Sequence, residues 1–404
     1  MANFKYRVRD GYGRPLTGSM SAENKEAVLA YIKKMGYTPV AIEEASDAPV
    51  ARDILARFRR VRQEDLIMFT RQLVTLQSAG LPLLMSLSAI KEQTESKALK
   101  DHITTILNDI ESGCSLSEAL SKYPRTFNDL YINMVKAGEA SGLLDEVLER
   151  LANLGEQQMQ TNAKIKSATM YPIIVIATLL VAFGVVVTFV LPRFAELFTR
   201  FDVELPMPTR ILLGVSYVVQ HWWHLLAFCV AALVFILKKY INTRQGRILW
   251  DSLKLNVPIF GPLVLKIVMS RFTRISSALI RSGIPLLQVL EMASKTVGNV
   301  VVGAAINKIR GFVNEGKAMN EVMKNDKLFP PIVTQMVAVG ESTGKLEQLL
   351  LRISDYYDAQ VDHALKNMTT IIEPILIFCL GGMVLVMALG IFLPMWNMVQ
   401  VFRK

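Results

Sequence analysis

The residues that most resemble a chemical site are two glycine-rich segments, GEASG at 138–142 and GESTG at 340–344. A lysine follows the second segment, which gives it the outline of a phosphate-binding loop. Such a loop has the form G-x-x-x-x-G-K-[ST]. Here only three residues separate Gly340 from Gly344, and Leu346 stands where the hydroxyl residue is required. These segments therefore predict turns and no nucleotide site.

Other side chains with catalytic or metal-binding potential are scattered along the chain. The four histidines have no cysteine or acid at the spacing that a metal site or an activated nucleophile needs. The three cysteines give no disulfide framework, and two of them lie in apolar stretches where a thiol packs as a hydrophobe. We therefore expect no enzyme activity, no cofactor and no metal. These residues are His102, His221, His224, His363, Cys114, Cys229 and Cys379.

The acids inside the glycine-rich segments are harder to explain than the turns. Ser141 and Thr343 are suited to cap the helices that follow, because a hydroxyl accepts a hydrogen bond from a free helix amide. The preceding acids are not needed for that cap. Two interpretations stay open: each acid stabilises its turn, or each contacts a basic group across the bundle or on a partner. The candidate motif comprises Gly138, Glu139, Gly142, Gly340, Glu341 and Gly344.

A second pair of segments, SAGLPLL at 78–84 and RSGIPLL at 281–287, predicts a tight elbow between two helices. A glycine ends one helix, and a proline two residues later suits the first turn of the next. The elbow either closes a helical hairpin or is displayed to a partner. Its candidate residues are Gly80, Pro82, Gly283 and Pro285.

The elements that position these segments include membrane spans. The chain of 404 residues is 51% hydrophobic, more than is usual in soluble domains. Three apolar stretches, at 169–192, 211–237 and 371–396, reach the roughly 20 residues that a spanning helix needs. The limits of the middle stretch are less clear, because Trp222 and Trp223 are residues typical of the membrane–water interface. Pro172 and Pro374 mark the entries of the outer two.

Charges beside the spans predict the orientation. Lysines and arginines concentrate before the first span and after the second, which indicates a cytoplasmic N-terminus and a periplasmic C-terminus. The first residues show no signal peptide. The net charge of +10 is explained by this positive-inside distribution, and no nucleic-acid motif accompanies it. Glu373, at the mouth of the last span, either snorkels to the interface or has a function.

An internal repeat at an offset of about 203 residues organises the whole chain. FTR at 69–71 recurs at 272–274, and both the elbows and the glycine-rich segments recur in the same order. Each copy ends in a span that finishes on Leu-Pro. Because both copies precede a span on the same side, the middle span must bring the chain back. Copy 1 has a capping-box pattern at Ser115, whereas copy 2 has Ala318 there.

The predicted fold class is mainly α, with two homologous cytoplasmic helical-bundle domains, three transmembrane helices and a small N-terminal α+β module. RFRRVR in the linker could hold an anionic membrane surface or an acidic partner. The predicted parts are the module at 1–45, a basic linker at 46–63, copy 1 at 64–168, span 1 at 169–192, a periplasmic loop at 193–210, span 2 at 211–237, copy 2 at 238–370, span 3 at 371–396 and a periplasmic tail at 397–404.

The duplicated FTR, SAG(L/I)PLL, GE(A/S)(S/T)G and Leu-Pro blocks resemble the type II secretion F family, which includes the platform proteins of type IV pili. The N-terminal FKYRVRDGYGRPLTG is similar to the leader module of that family. The loop FDVELPMPTRILLGVSYVV is similar to platforms of mannose-sensitive haemagglutinin pili. The resemblance implies a bacterial inner-membrane platform that docks a cytoplasmic ATPase, receives pilin or pseudopilin subunits, contacts other inner-membrane assembly proteins and self-associates.

Two other classes compete with a platform. A small polytopic transporter component would also be built from repeated membrane segments, but three spans without buried charges make a poor pathway. A membrane-anchored enzyme would need a nucleophile, a metal cluster or a phosphate loop. The sequence alone does not separate a pilus from a secretion system.

Overall fold

The computed structural model describes residues 2–9, 15–22, 25–34, 37–44, 61–193, 207–258 and 260–401. The chain divides into two compact units, Met1–Leu66 with Ser88–Thr105, and Ile67–Leu87 with Ile106–Lys404. Residues 88–105, which the repeat assigned to copy 1, therefore group with the N-terminal part. Most of the predicted linker and of the predicted periplasmic loop lies outside the described residues.

The first unit contains a three-stranded sheet with a helix. The elements are β1 (Ala2–Arg9), β2 (Pro15–Ala22), α1 (Lys25–Lys34) and β3 (Thr38–Glu44). β1 is the central strand and pairs antiparallel with both neighbours. Val28 and Ile32 of α1, four residues apart and so on one face of the helix, are buried.

The rest of the described residues are mainly helical, and their helices recur in two matching series of six. The first series is α2 (Gln63–Ser78), α3 (Leu83–Gln93), α4 (Lys97–Glu111), α5 (Leu116–Ser121), α6 (Asp129–Ser141) and α7 (Leu144–Val185). α8 (Met207–Ile241) and α9 (Arg244–Asn256) follow. The second series is α10 (Phe260–Arg281), α11 (Leu286–Thr296), α12 (Val300–Asn314), α13 (Met319–Lys324), α14 (Pro331–Thr343) and α15 (Leu346–Val401). The prediction of a mainly α chain with a duplicated helical part is confirmed.

Aromatic pairs occupy equivalent places in the cores of the two series. Phe69 of α2 meets Phe127 edge-on, with ring centroids 6.0 Å apart. Phe272 of α10 meets Phe329 in the same way at 6.2 Å. All four rings are buried. The FTR segment of each copy therefore places its phenylalanine at the centre of the packing, where an edge-to-face pair is favourable.

Three helices are long and apolar enough to cross a membrane, over Leu144–Arg193, Thr209–Ile241 and Leu346–Gly390. At most 6% of each apolar window is buried within the protein. Apolar side chains that face outward along a whole helix require a lipid surrounding. The three predicted spans are therefore confirmed. α8, which contains the middle span, has non-helical backbone angles at Trp222; this is the span whose limits the sequence defined least clearly.

The two outer spans are continuous with the helices that precede them. α7 has 42 residues and α15 has 56, and neither breaks at the predicted domain boundaries near 169 and 371. Pro172 lies inside α7, where a proline removes one helical hydrogen bond and crowds the carbonyl four residues before it, yet the helix continues through this position. Hydropathy marks where a helix enters the membrane, and in this chain that point is not a helix end.

The spans contact one another at the ends far from the helical copies. Val186–Val190 forms a π-helical turn after α7. Its widened backbone leaves carbonyls free, and Gln220 Nε2 of α8 donates to the Thr188 carbonyl at 2.7 Å. Thr209 Oγ1 of α8 donates to the Gly390 carbonyl of α15 at 3.1 Å. These bonds satisfy polar groups that lipid could not.

Candidate functional site

The glycine-rich segments, termed here the turn motifs (138–142 and 340–344), place two helices in close contact. In copy 1 a Cβ on Gly138 would lie 3.1 Å from Val147 Cβ and 3.2 Å from Leu144 Cα. In copy 2 a Cβ on Gly340 would lie 2.9 Å from Leu346 Cα. Each first glycine is therefore a point of close approach between a helix and the start of the long helix that follows it.

The last glycine of each turn motif ends the preceding helix. Gly142 and Gly344 have φ of 71° and 69°, in the left-handed region that glycine adopts without strain. The Leu143 amide then donates to the Gly138 carbonyl at 2.9 Å. The chain turns sharply at this point, and α7 begins at Leu144.

Glu139 lies between these glycines and caps a third helix. Its carboxylate accepts hydrogen bonds from the backbone amides of Leu116 at 2.6 Å and Ser117 at 3.3 Å, at the start of α5. These amides have no partner within their own helix, and the helix dipole favours a negative charge there. Glu139 thereby ties α6 to the first turn of α5.

Glu341 repeats this arrangement in copy 2. It accepts from the amides of Met319 at 2.7 Å and Asn320 at 3.1 Å, at the start of α13. The Asn320 side chain adds a further bond at 2.7 Å. The two acids therefore have the same intramolecular role, at positions that the repeat makes equivalent.

The predicted N-caps at Ser141 and Thr343 are wrong. Ser141 Oγ donates to the Ala137 carbonyl at 2.8 Å, and Thr343 Oγ1 to the Val339 carbonyl at 2.7 Å. Each hydroxyl bonds back to its own helix, as serine and threonine do within a helical turn. The N-cap position of α7 is Leu143, which has no side-chain cap.

The capping box in copy 1 is confirmed. Ser115 Oγ accepts from the Glu118 amide at 3.2 Å, and the Glu118 carboxylate accepts from the Ser115 amide at 3.2 Å. Ala318 has no side chain that could do the same for α13. The short helix of copy 2 therefore depends more on the acid of the turn motif than its counterpart does.

The elbows (78–84 and 281–287) have the predicted turn geometry. Gly80 and Gly283 have φ of 83° and 78°. Pro82 and Pro285 lie one residue before α3 and α11 respectively. In copy 2 the elbow also contacts copy 1, because Arg150 Nη1 of α7 donates to Ser282 Oγ at 3.0 Å.

An arginine of the FTR segment braces the first helix of each copy against its last. Arg71 donates to both carboxylate oxygens of Glu156, at 2.6 and 2.7 Å, and to Asn153 Oδ1 at 2.7 Å. The hydrogen bond from Arg71 lowers the pKa of Glu156 below its ordinary value. In copy 2 Arg274 bonds Asp358 and, at 3.2 Å, Asp355. Sequence analysis missed both braces.

The two copies meet where they approach the spans. Lys164 of α7 donates to both carboxylate oxygens of Asp362 of α15, at 2.8 and 2.7 Å. Next to this pair, towards the spans, Ile165 and Ala168 pack against a buried cluster of Leu263, Val361, Leu365 and Met368. The long helices of both copies are thereby joined immediately before they become spans.

Comparison with known proteins follows the same division of the chain. The family described as "Type II secretion system (T2SS), protein F" matches residues 69–192 and 272–394, and its N-terminal domain matches residues 1–43. The two longer matches begin at Phe69 and Phe272 and include both elbows, both turn motifs and both outer spans. The chain belongs to the type II secretion system protein F family.

Curated members of the type II secretion system protein F family are similar over nearly their whole length. A "Type IV pilus assembly protein PilC" of Myxococcus xanthus is 36% identical, covering 98% of this chain and 95% of the relative. Another of that name from Thermus thermophilus is 35% identical, covering 99% and 98%. A "Type II secretion system protein F" of Vibrio cholerae is 30% identical, covering 98% of both.

The two span entries of this family member differ in their surroundings. Pro172 is buried, whereas Glu373 and Pro374 are exposed to the space around the helix. The protein is a multi-pass inner-membrane protein, and this exposed carboxyl lies where the last span begins. Among the described residues, no group of three His, Cys, Asp or Glu side chains could hold a metal ion.

Proposed function

We propose that this protein is the inner-membrane platform of a type IV pilus, coupling a cytoplasmic ATPase to the insertion or extraction of pilin. The observation that carries the proposal is the continuity of α7 and α15, each of which runs unbroken from a helical copy into its span. At about 1.5 Å per residue these helices are about 63 and 84 Å long. A force applied to either copy can reach the bilayer through one continuous helix.

The proposed topology has the N-terminus in the cytoplasm and the C-terminus in the periplasm. The basic residues beside the spans support it, because cytoplasmic flanks carry the excess of lysine and arginine. Both copies then lie in the cytoplasm, where an ATPase could contact them, and α8 returns the chain between them. These flanking residues are Lys164, Lys166, Lys238, Lys239, Arg244 and Arg247.

The turn motifs and elbows act in this proposal as the joints that hold each copy together. Glu139 and Glu341 already accept backbone hydrogen bonds within their own copies. The ATPase therefore contacts other surfaces, and the motifs preserve the shape of those surfaces. The Lys164–Asp362 pair and the apolar cluster next to it hold α7 and α15 against each other just before their spans, so that both spans respond together.

A pilus is favoured over a secretion pseudopilus by the relatives. Those described as type IV pilus assembly proteins are 31–36% identical to this chain, whereas those described as type II secretion system protein F are 29–30% identical. The proposed partners are a cytoplasmic ATPase, pilin subunits, other inner-membrane assembly proteins and further copies of this chain.

The test is a deletion of the gene complemented with the intact chain. Surface pili are counted by electron microscopy, and secreted enzymes are assayed in the culture medium. Loss of pili alone, restored by complementation, is the expected result. Loss of secretion alone would reassign the platform to a secretion system, and loss of neither would overturn the assembly function.

A further inference from the structure

An amphipathic helix directly after the second span, α9, has its apolar side chains on the wrong side for a soluble domain. Leu249, Leu253 and Trp250 are exposed by 59%, 55% and 42%. They lie at i, i+1 and i+4 and so form one stripe. The opposite face carries an acid, Asp251, which is only 3% exposed. The usual arrangement of apolar residues inside and charges outside is reversed here.

The buried acid fixes the rotation of α9 about its own axis. Asp251 Oδ2 accepts from the Val300 amide at 2.9 Å, at the start of α12. Its backbone carbonyl accepts from Asn299 Nδ2 at 3.2 Å. With Asp251 held against copy 2, the stripe of Leu249, Trp250 and Leu253 must point away from the protein.

Two tight corners fix the direction of α9. Gly246 lies against the Tyr240 carbonyl at the end of α8, and a Cβ there would overlap that oxygen. Gly261 lies against the Leu255 carbonyl at the other end in the same way. α9 and α10 meet at 109°. The helix is therefore clamped at both ends rather than tethered loosely.

Both ends of α9 lie next to helices that contain predicted spans. Its first residue, Arg244, comes directly after the two-residue connection from α8, which is a span. Past its other end, Leu263 of α10 packs against Met368 of α15, just before the third predicted span begins. A helix held at both ends beside two predicted spans is placed to lie along the surface of the bilayer.

We propose that α9 is an interfacial helix, whose exposed apolar stripe binds the anionic lipid surface of the cytoplasmic leaflet. Leu249, Trp250 and Leu253 enter the boundary between headgroups and acyl chains, as in helices that lie in the membrane plane. The exposed Arg247 lies beside the stripe, where it faces lipid phosphates. Lys254 Nζ donates to Asp251 Oδ1 at 2.9 Å and lies 5.6 Å from the Trp250 ring centre, so it neutralises the buried acid at the edge of the stripe. This inference rests on the membrane topology of the proposed function.

The experiment measures how deeply Trp250 lies in lipid. The full chain with Trp222→Phe, Trp223→Phe and Trp396→Phe, which leaves Trp250 as the one tryptophan, is reconstituted in vesicles of phosphatidylethanolamine and phosphatidylglycerol. Fluorescence is quenched with iodide from water or with lipids brominated at known depths. The control carries Trp250→Phe and Leu143→Trp, because Leu143 is exposed but lies about 40 Å along α7 from the start of its span.

We expect shallow brominated lipid to quench Trp250, and iodide quenching to be at least about threefold weaker than for the control. Iodide quenching equal to the control, in a chain that stays in the membrane fraction, would overturn the interfacial helix but not the proposed function. Shielding from both quenchers would instead indicate a second copy of the chain and also overturn the lipid assignment. A chain absent from the membrane fraction would overturn both proposals.

A second measurement needs no tryptophan replacement. Leu249→Asp with Leu253→Asp places two charges on the stripe, whereas Thr104→Asp with Asn108→Asp places the same charges, at the same spacing, on exposed polar positions of α4. We expect the first pair to lower pilus number at least about tenfold, with the chain still in the membrane, and the second pair to lower it much less. Equal pilus numbers for both pairs would contradict a lipid contact at α9.

Discussion

Glu139 and Glu341 cap helices that lie 22 or 23 residues earlier in the chain, so their removal should act on stability first. Glu139→Ala leaves the amides of the buried residues Leu116 and Ser117 without their acceptor. We expect the free energy of unfolding to fall by about 1–3 kcal/mol, and by less for Glu139→Gln, which keeps an acceptor oxygen. Urea unfolding of the purified chain in detergent, followed by circular dichroism, measures this.

The matched control for that measurement is Glu95→Ala, since Glu95 is an exposed acid between two helices. A surface change of this kind shifts stability by about 0.5 kcal/mol at most. If Glu139→Ala were as stable as Glu95→Ala while ATPase binding was lost, the acid would be a partner contact rather than a cap.

Gly340 is a residue whose missing Cβ is needed for helix contact. Gly340→Ala would place a methyl group 2.9 Å from Leu346 Cα, a backbone atom that cannot turn aside. We expect a loss of about 1–3 kcal/mol in the free energy of unfolding. Gly311→Ala, inside α12 with open space around it, should stabilise the chain by about 0.5–1 kcal/mol. A neutral Gly340→Ala in the same urea titration would contradict the close contact.

The Arg71–Glu156 brace makes stability depend on pH. Because the pKa of Glu156 is lowered in the folded chain, its contribution is present above the pKa of the unfolded carboxyl and is lost as pH falls through the folded value. Both side chains are about one-third exposed, so we expect Glu156→Gln to cost only about 0.5–1 kcal/mol at neutral pH. Urea titrations in a pH series should show this difference vanishing in acid. A difference that grows in acid would contradict the brace.

The unbroken α7 is the element on which force transmission depends. Between the core of copy 1 and Ile165, residues 160–163 are mostly exposed. Replacing Gln160, Thr161, Asn162 and Ala163 with Gly-Ser-Gly-Ser keeps the length but weakens the helix, by about 1 kcal/mol for each glycine. We expect pilus assembly to be lost while membrane insertion is retained, as scored by electron microscopy and fractionation.

Four alanines at the same positions are the control for that element, because they keep both the length and the helix. We expect pilus numbers near those of the intact chain. Equal assembly with both replacements would show that a flexible connection suffices, and the proposed coupling through α7 would then be wrong.

Local patterns predicted elements well and contacts poorly. The elbows, the Ser115 capping box and the apolar spans depend on neighbouring residues, and the sequence was enough to place them. Arg71–Glu156 joins residues 85 apart, and Glu139 reaches back 23 residues to Leu116, so no local pattern could reveal them. Ser141 was misassigned because a hydroxyl at a helix end can bond forward as a cap or backward to its own helix, and only the backbone decides.

At the scale of the whole molecule, the number of spans decides where the C-terminus lies. Three spans place the ends on opposite sides, whereas counting α9 with α10 as a fourth, bent span would place them on the same side. The buried residues Phe272, Met269 and Leu279 make α10 a core helix of copy 2. We expect alkaline phosphatase fused after Lys404 to be active, as it is in the periplasm, and the same fusion after Asn256 to be inactive. An inactive C-terminal fusion would contradict the proposed topology.

The bonds that join the two copies also set an order of events on the ribosome. Arg150 and Ser282 are 132 residues apart, and Lys164 and Asp362 are 198 apart. At about 5–20 residues per second, Lys164 waits about 10–40 s for its partner to be translated. Once the first span has been made, copy 1 is anchored in the membrane with Ile165 and Ala168 uncovered until copy 2 is complete. The incomplete chain is therefore the form most exposed to proteases and to aggregation. A stalled ribosome would lengthen the time that the chain spends in this form.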